Sequence, residues 1–170
     1  MNQPTESKEQ VGHVIGPENT IKEAKDFLRE NYKEGCECPA CGQTVKLYKR
    51  KLNSAMAYGL ILLTRCQEQG YFHIEDFLKT QECPSSIRGD IPKLRYFGLI
   101  QAMKTTETGG PAKAGYYIVT QKGRDFVDGK LTVPKSVNLY NNKQYGFSED
   151  HVNIKRALGS KFNYNELMGK

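Results

Sequence analysis

Long apolar runs are missing from this sequence. The longest, Ala55–Leu63, is about half the length that crosses a bilayer, so no membrane-spanning helix is expected. Residues 1–19 are polar and carry Glu6, Glu9 and Glu18, which does not read as a signal peptide. The protein is therefore expected in the cytoplasm, on the reducing side of the membrane. Histidine is scarce, with three residues (His13, His73 and His151) and no recognisable acid–base setting around any of them. P-loop, GxGxxG, HExxH and GxSxG patterns do not occur. Catalysis is not expected. Internal repeats and low-complexity tracts are absent as well.

What remains is an ordinary soluble composition, 38% hydrophobic and 26% charged over 170 residues. That length suits one domain, or one domain with a small appendage. The net charge of +6 is unevenly spread. Residues 1–35 hold five Lys/Arg against seven Asp/Glu (−2), and residues 36–170 hold twenty against twelve (+8). The basic excess falls on the segment expected to fold, and an excess of this kind suits a phosphate backbone.

Five cysteines are present, and three of them, Cys36, Cys38 and Cys41, lie within six residues. In a reducing compartment such clustering points to a metal ion rather than to disulfides. Cys38-Pro-Ala-Cys41-Gly42 has the form of a zinc-ribbon knuckle. Two thiolates two residues apart grip one tetrahedral ion, Pro39 fixes the turn, and Gly42 leaves room where backbone amides approach sulfur. The second CxxC of a full ribbon is absent. Cys36 is the expected third ligand, while Cys66, Cys83, His73 and His13 compete for the fourth position. Such ligation argues for a closed, structural zinc site.

Along the chain, residues 1–17 read as a disordered lead-in. Residues 18–52 read as a helix with a capping box at Thr20 and Glu23, followed by the knuckle and a basic run, Lys46–Lys51. In that run Lys49, Arg50 and Lys51 are candidate phosphate contacts, with Tyr48 able to stack on a base. Residues 53–130 follow as helix, short helix, helix, strand, Gly-rich loop and strand. A helix capped by Asn53 or Ser54 is expected to reach Gln69, a second to span His73–Thr80, and a third to end at Gly98. Gly89 and Pro92 interrupt the third, so it is expected to start at Asp90 and run two turns. Residues 131–170 complete the chain as a C-terminal extension packed on the core. It holds a strand near Val137–Tyr140, a turn at Asn141-Asn142, a helix over Ser148–Leu158, and a final helix or turn.

Leu94–Ile100 resembles the exit of the recognition helix of a winged-helix domain, and Gly115–Gly123 resembles the returning wing strand with its Thr-x-x-Gly turn. This resemblance implies an α+β fold: a winged-helix core preceded by an N-terminal helix and zinc knuckle and followed by a C-terminal αβ extension. It also implies that Ser85, Ser86, Arg88, Lys93 and Arg95 face DNA, with Lys104 and Lys113 flanking the wing tip. As a whole, through Cys38–Ser54, Tyr96–Ile100 and Phe162–Met168, the chain resembles a family of uncharacterised phage and prophage proteins, which implies no particular activity. The function expected is that of a non-enzymatic DNA-binding accessory or regulatory factor. The alternative is a protein-interaction module, a phage factor that binds a host protein complex.

Overall fold

Thr20 opens the first helix, α1 (Ile21–Asn31), with a reciprocal cap. Its hydroxyl accepts from the Glu23 amide, and the Glu23 carboxylate accepts from the Thr20 amide at 2.7 Å. A computed structural model describes residues 19–66, 70–81, 85–104 and 114–169. The lead-in, the helix end expected at Gln69, Cys83, and the wing loop with Lys113 lie outside the described residues. The chain divides into two units, Met1–Leu47 and Tyr48–Lys170. In the first, Gly35 (φ 96) turns the chain from α1 into a hairpin of β1 (Cys36–Glu37) and β2 (Thr44–Val45), with Cys36 opposite Val45. The Leu47 amide donates to the Tyr32 carbonyl at 2.9 Å. None of the described residues of this unit is fully buried.

The second unit begins at β3 (Tyr48–Lys51). Asn53 then accepts from the Met56 amide at 2.9 Å and opens α2 (Ser54–Cys66), whose Met56, Ala57, Leu60, Ile61 and Leu63 are buried. Next come β4 (Phe72–His73), which the sequence does not signal, and α3 (Ile74–Thr80). The third helix has Asp90 at its N-cap and Gly98 at its end, as expected, but it is a 3₁₀ helix over Ile91–Phe97, and an additional short helix, α4 (Ser85–Arg88), precedes it. Pro92 lies in its first turn, where a missing N–H costs nothing. Ile91, Leu94 and Phe97 are buried, a spacing of three that lines one face of a three-residue turn. Gly98 ends the helix in the left-handed region (φ 71).

β5 (Ile100–Ala102) and β6 (Tyr116–Val119) pair antiparallel, and β4 joins the far edge of β6, giving the order β4-β6-β5. Thr120 caps α5 (Gln121–Val127). Its hydroxyl accepts from the Gly123 amide at 3.0 Å and donates to the Gly98 carbonyl at 2.7 Å. A Cβ at Gly123 would collide with the Leu99 carbonyl oxygen. Backbone crowding therefore explains the glycine of the Thr-x-x-Gly pattern.

β7 (Val133–Pro134), β8 (Ser136–Tyr140), β9 (Lys143–Phe147) and β10 (His151–Val152) come next. β8 lies between β3 and β9, and Asn141-Asn142 joins β8 to β9 with φ of 46° and 56°, the left-handed pair that a tight hairpin requires. Residues Tyr48–Lys51 of the basic run are thus an edge strand of a sheet. The helix expected over Ser148–Leu158 is confined to α6 (Ile154–Leu158), because His151 and Val152 pair with β7 and the Asn153 side chain caps the helix at Ile154. α7 (Tyr164–Met168) closes the chain. The Tyr164 hydroxyl donates to the Val127 carbonyl at 2.8 Å, Phe162 stacks on Tyr58 at 4.5 Å, and Arg65 donates to the Leu167 carbonyl. The architecture is α+β with antiparallel sheets, and among the described residues no helix is long and apolar enough to cross a membrane.

Candidate nucleic-acid interface and metal knuckle

The 3₁₀ helix turns one face to the core and leaves two rows outside it, Pro92 with Arg95 and Lys93 with Tyr96. All four line a groove of about 460 Å³. The opposite wall comes from Tyr48 and Arg50 on β3, Leu139 on β8 and the Asn141-Asn142 turn. Pleating explains the selection on β3: Tyr48 and Arg50 share one face, and Lys49 and Lys51 take the other. Tyr48 is 44% exposed.

Asp90 stands at the N-cap of the 3₁₀ helix. Its carboxylate accepts from Lys93 at 2.6 Å and from Asn53 at 2.9 Å. Burial opposes its ionisation, but the hydrogen bonds from Lys93 and Asn53, with the charges of Lys93 and Arg50, outweigh burial and hold the carboxyl below its ordinary value. Lys93 is thereby tied down. Arg50 and Arg95 enter no ion pair among the described residues. Each guanidinium lies over a tyrosine instead: Arg50 is 5.8 Å from the Tyr48 ring and Arg95 is 4.8 Å from the Tyr96 ring. Arg95 also donates to the Tyr96 hydroxyl at 2.8 Å, and Asn142 Oδ1 lies 3.5 Å from that hydroxyl.

Of the residues marked out by the sequence, the groove gathers Arg50, Lys93 and Arg95. Lys49 and Lys51 are exposed on the other face of β3. Arg88 pairs with Glu75 at 3.5 Å and does not line the groove. Ser85 and Ser86 begin α4, Lys104 is exposed beyond β5, and Lys113 is outside the described residues. Tyr96, Asn141 and Asn142 are the groove residues that sequence reasoning missed as a site. The Asn-Asn turn was legible, but its approach to the 3₁₀ helix was not.

The knuckle occupies the tip of the β1–β2 hairpin. The Cys38 carbonyl accepts from the amides of Cys41 (3.3 Å) and Gly42 (2.8 Å), the Cys38 amide donates to the Gln43 carbonyl at 2.8 Å, and Gly42 takes a positive φ of 69°. Backbone N–H groups of Ala40 and Cys41, followed by the Cys41 thiol, bond the Cys38 sulfur and lower its pKa. Burial, and then the neighbouring Cys38, raise that of Cys36. Amides aimed at a thiolate are what a metal-binding turn supplies, so Cys38 and Cys41 fit two positions of a tetrahedral ion. Among the described residues no three His, Cys, Asp or Glu side chains are grouped around one ion position. Comparison with protein-family models, with curated proteins and with solved structures finds no match to this chain.

Proposed function

We propose that this chain is a non-enzymatic, zinc-containing winged-helix protein that binds DNA as an accessory or regulatory factor. The observation that carries the DNA reading is the convergence of Arg50, Lys93 and Arg95 on one groove beside the 3₁₀ helix. The order of α2, β4, α3, α4 with the 3₁₀ helix, β5 and β6, with β6 central in its sheet, supports a winged-helix core in which the 3₁₀ helix holds the recognition position. Zinc is supported by the Cys38–Cys41 turn and by the lack of fully buried residues among those described in Met1–Leu47, since so small a unit needs a staple. Cys38 and Cys41 are its ligands, while Cys36, the third expected from the sequence, is not grouped with them around one ion position. The ion supplies a structural cross-link.

Titration of a labelled duplex at two salt concentrations tests the DNA reading. About four to six phosphate contacts give a log–log salt slope of about −4 to −5, and absence of binding at low salt would overturn it. The second reading, a protein-interaction module, draws on the edge strand β9, where Tyr145 and Phe147 are 49% and 43% exposed. Exposed aromatics on an edge strand suit strand addition by a partner. Stoichiometric retention of one host protein, without DNA binding, would favour it.

A further inference from the structure

We infer that the groove between the 3₁₀ helix and the β3-β8-β9 sheet takes unpaired nucleotides of single-stranded DNA, with bases stacking on Tyr48 and Tyr96 and phosphates meeting Arg50 and Arg95. This deepens the DNA-binding reading and rests on it.

The shape of the surface decides between strand and duplex. A duplex admits a protruding helix or ribbon into its major groove. Here the outward rows of the 3₁₀ helix are not a ridge, because they form one wall of a concavity whose other wall is the β3 edge and the Asn141-Asn142 turn. Its volume of about 460 Å³ lies in the range of small-molecule sites, about 300–1,000 Å³. That suits a nucleotide unit, whereas a double helix meets only the guanidiniums at the rim, through its phosphates. The chemistry agrees with the shape. Both walls carry an aromatic ring, and each ring has a guanidinium over it with no carboxylate bound to it. Stacking platforms flanked by cations hold single strands with little regard for sequence, because every base has a π-face. The asparagine side chains at the turn are exposed and offer amide donors and acceptors to base edges.

The absence of tryptophan makes a direct test available, since Tyr48→Trp places a single indole on the groove wall. The probes are a thymidine homopolymer of about ten nucleotides, a blunt mixed-sequence duplex of the same length, and polyglutamate. The homopolymer is expected to quench the indole and to bind about tenfold or more tighter than the duplex at equal salt. In the otherwise unaltered chain, Tyr48→Ala should lower single-strand affinity about ten- to a hundredfold, a far larger loss than that of duplex affinity, with the melting temperature unchanged, and Tyr48→Phe should keep it. Equal affinity for strand and duplex, or equal loss of both in Tyr48→Ala, would overturn the inference and leave the DNA reading standing. Polyglutamate matching the homopolymer would overturn the inference by reducing the groove to a simple anion surface. Failure of every nucleic acid to bind would remove both.

Discussion

Gly59 lies in the middle of α2, and a methyl group added there would stand 2.8 Å from Ile91 Cγ1, 2.9 Å from Ile91 Cδ1 and 3.4 Å from Ile87 Cγ2. Helix propensity alone favours Gly59→Ala by about 1 kcal/mol. The two contacts under 3 Å oppose it, because overpacking a tight core costs about 1–3 kcal/mol. The net expectation is a loss of about 0–2 kcal/mol. Ile91→Ala by itself should cost about 2–5 kcal/mol through the cavity it leaves. In that background both close contacts vanish, and Gly59→Ala should then stabilise by about 1 kcal/mol or more. Urea denaturation of the four proteins closes a double-mutant cycle whose coupling should reach about 2 kcal/mol. The seat of Ile91 on Gly59 also fixes Lys93, Arg95 and Tyr96 along one wall of the groove, so Gly59→Ala should weaken DNA binding as well. A stabilised Gly59→Ala in the wild-type background would refute the reasoning, by showing that the 3₁₀ helix does not rest on α2 at this point.

The same structure fixes three further outcomes. Protein purified without chelator should carry about one zinc per chain, and Cys38→Ser should loosen residues 19–47 to protease while the second unit stays folded. Elemental analysis showing no metal would contradict this. In metal-free protein Cys38 should be alkylated before Cys36 at neutral pH, since bonds from the Ala40 and Cys41 amides lower the pKa of Cys38 whereas burial raises that of Cys36; peptide mass spectrometry reads the order. Asp90 has a folded pKa below its unfolded value. Its contribution is therefore present above the unfolded carboxyl pKa of about 3.9 and lost as pH falls through the folded value. Asp90→Asn should cost about 0.5–1 kcal/mol at pH 7, the scale of a partly exposed pair, with the gap narrowing in acid; a gap independent of pH would contradict the role of its charge.

Local signals in the chain translated directly into structure. The Thr20/Glu23 box, the Asn53 cap, the Thr120–Gly123 turn and the Asn141-Asn142 hairpin each depend on residues a few positions apart. What was hidden is non-local or degenerate. Ile91, Leu94 and Phe97 repeat every three residues, a spacing that an α-helix also tolerates over two turns, so the 3₁₀ form was not evident. The two residues of β4 are too few to show alternation. Lys46–Lys51 reads as a charge run until β3 pairs with β8, and only the pleat then separates Tyr48 and Arg50 from Lys49 and Lys51. The groove exists because positions near 48, 95 and 141 meet, and no local pattern in the sequence records that meeting.

Charge reversal tests the proposed interface most directly. Arg50→Glu with Arg95→Glu changes the two groove guanidiniums that no carboxylate holds, and leaves Lys93 and Asp90 themselves in place. Lys155→Glu with Arg156→Glu makes the same charge change on α6, away from the groove. Binding of a labelled duplex at low salt should fall far more in the first pair than in the second, and the salt slope of the first should shallow by about 2, with both proteins melting as the wild type does. Equal losses from the two pairs would show that DNA responds only to net charge, and would contradict a binding face built on β3 and the 3₁₀ helix.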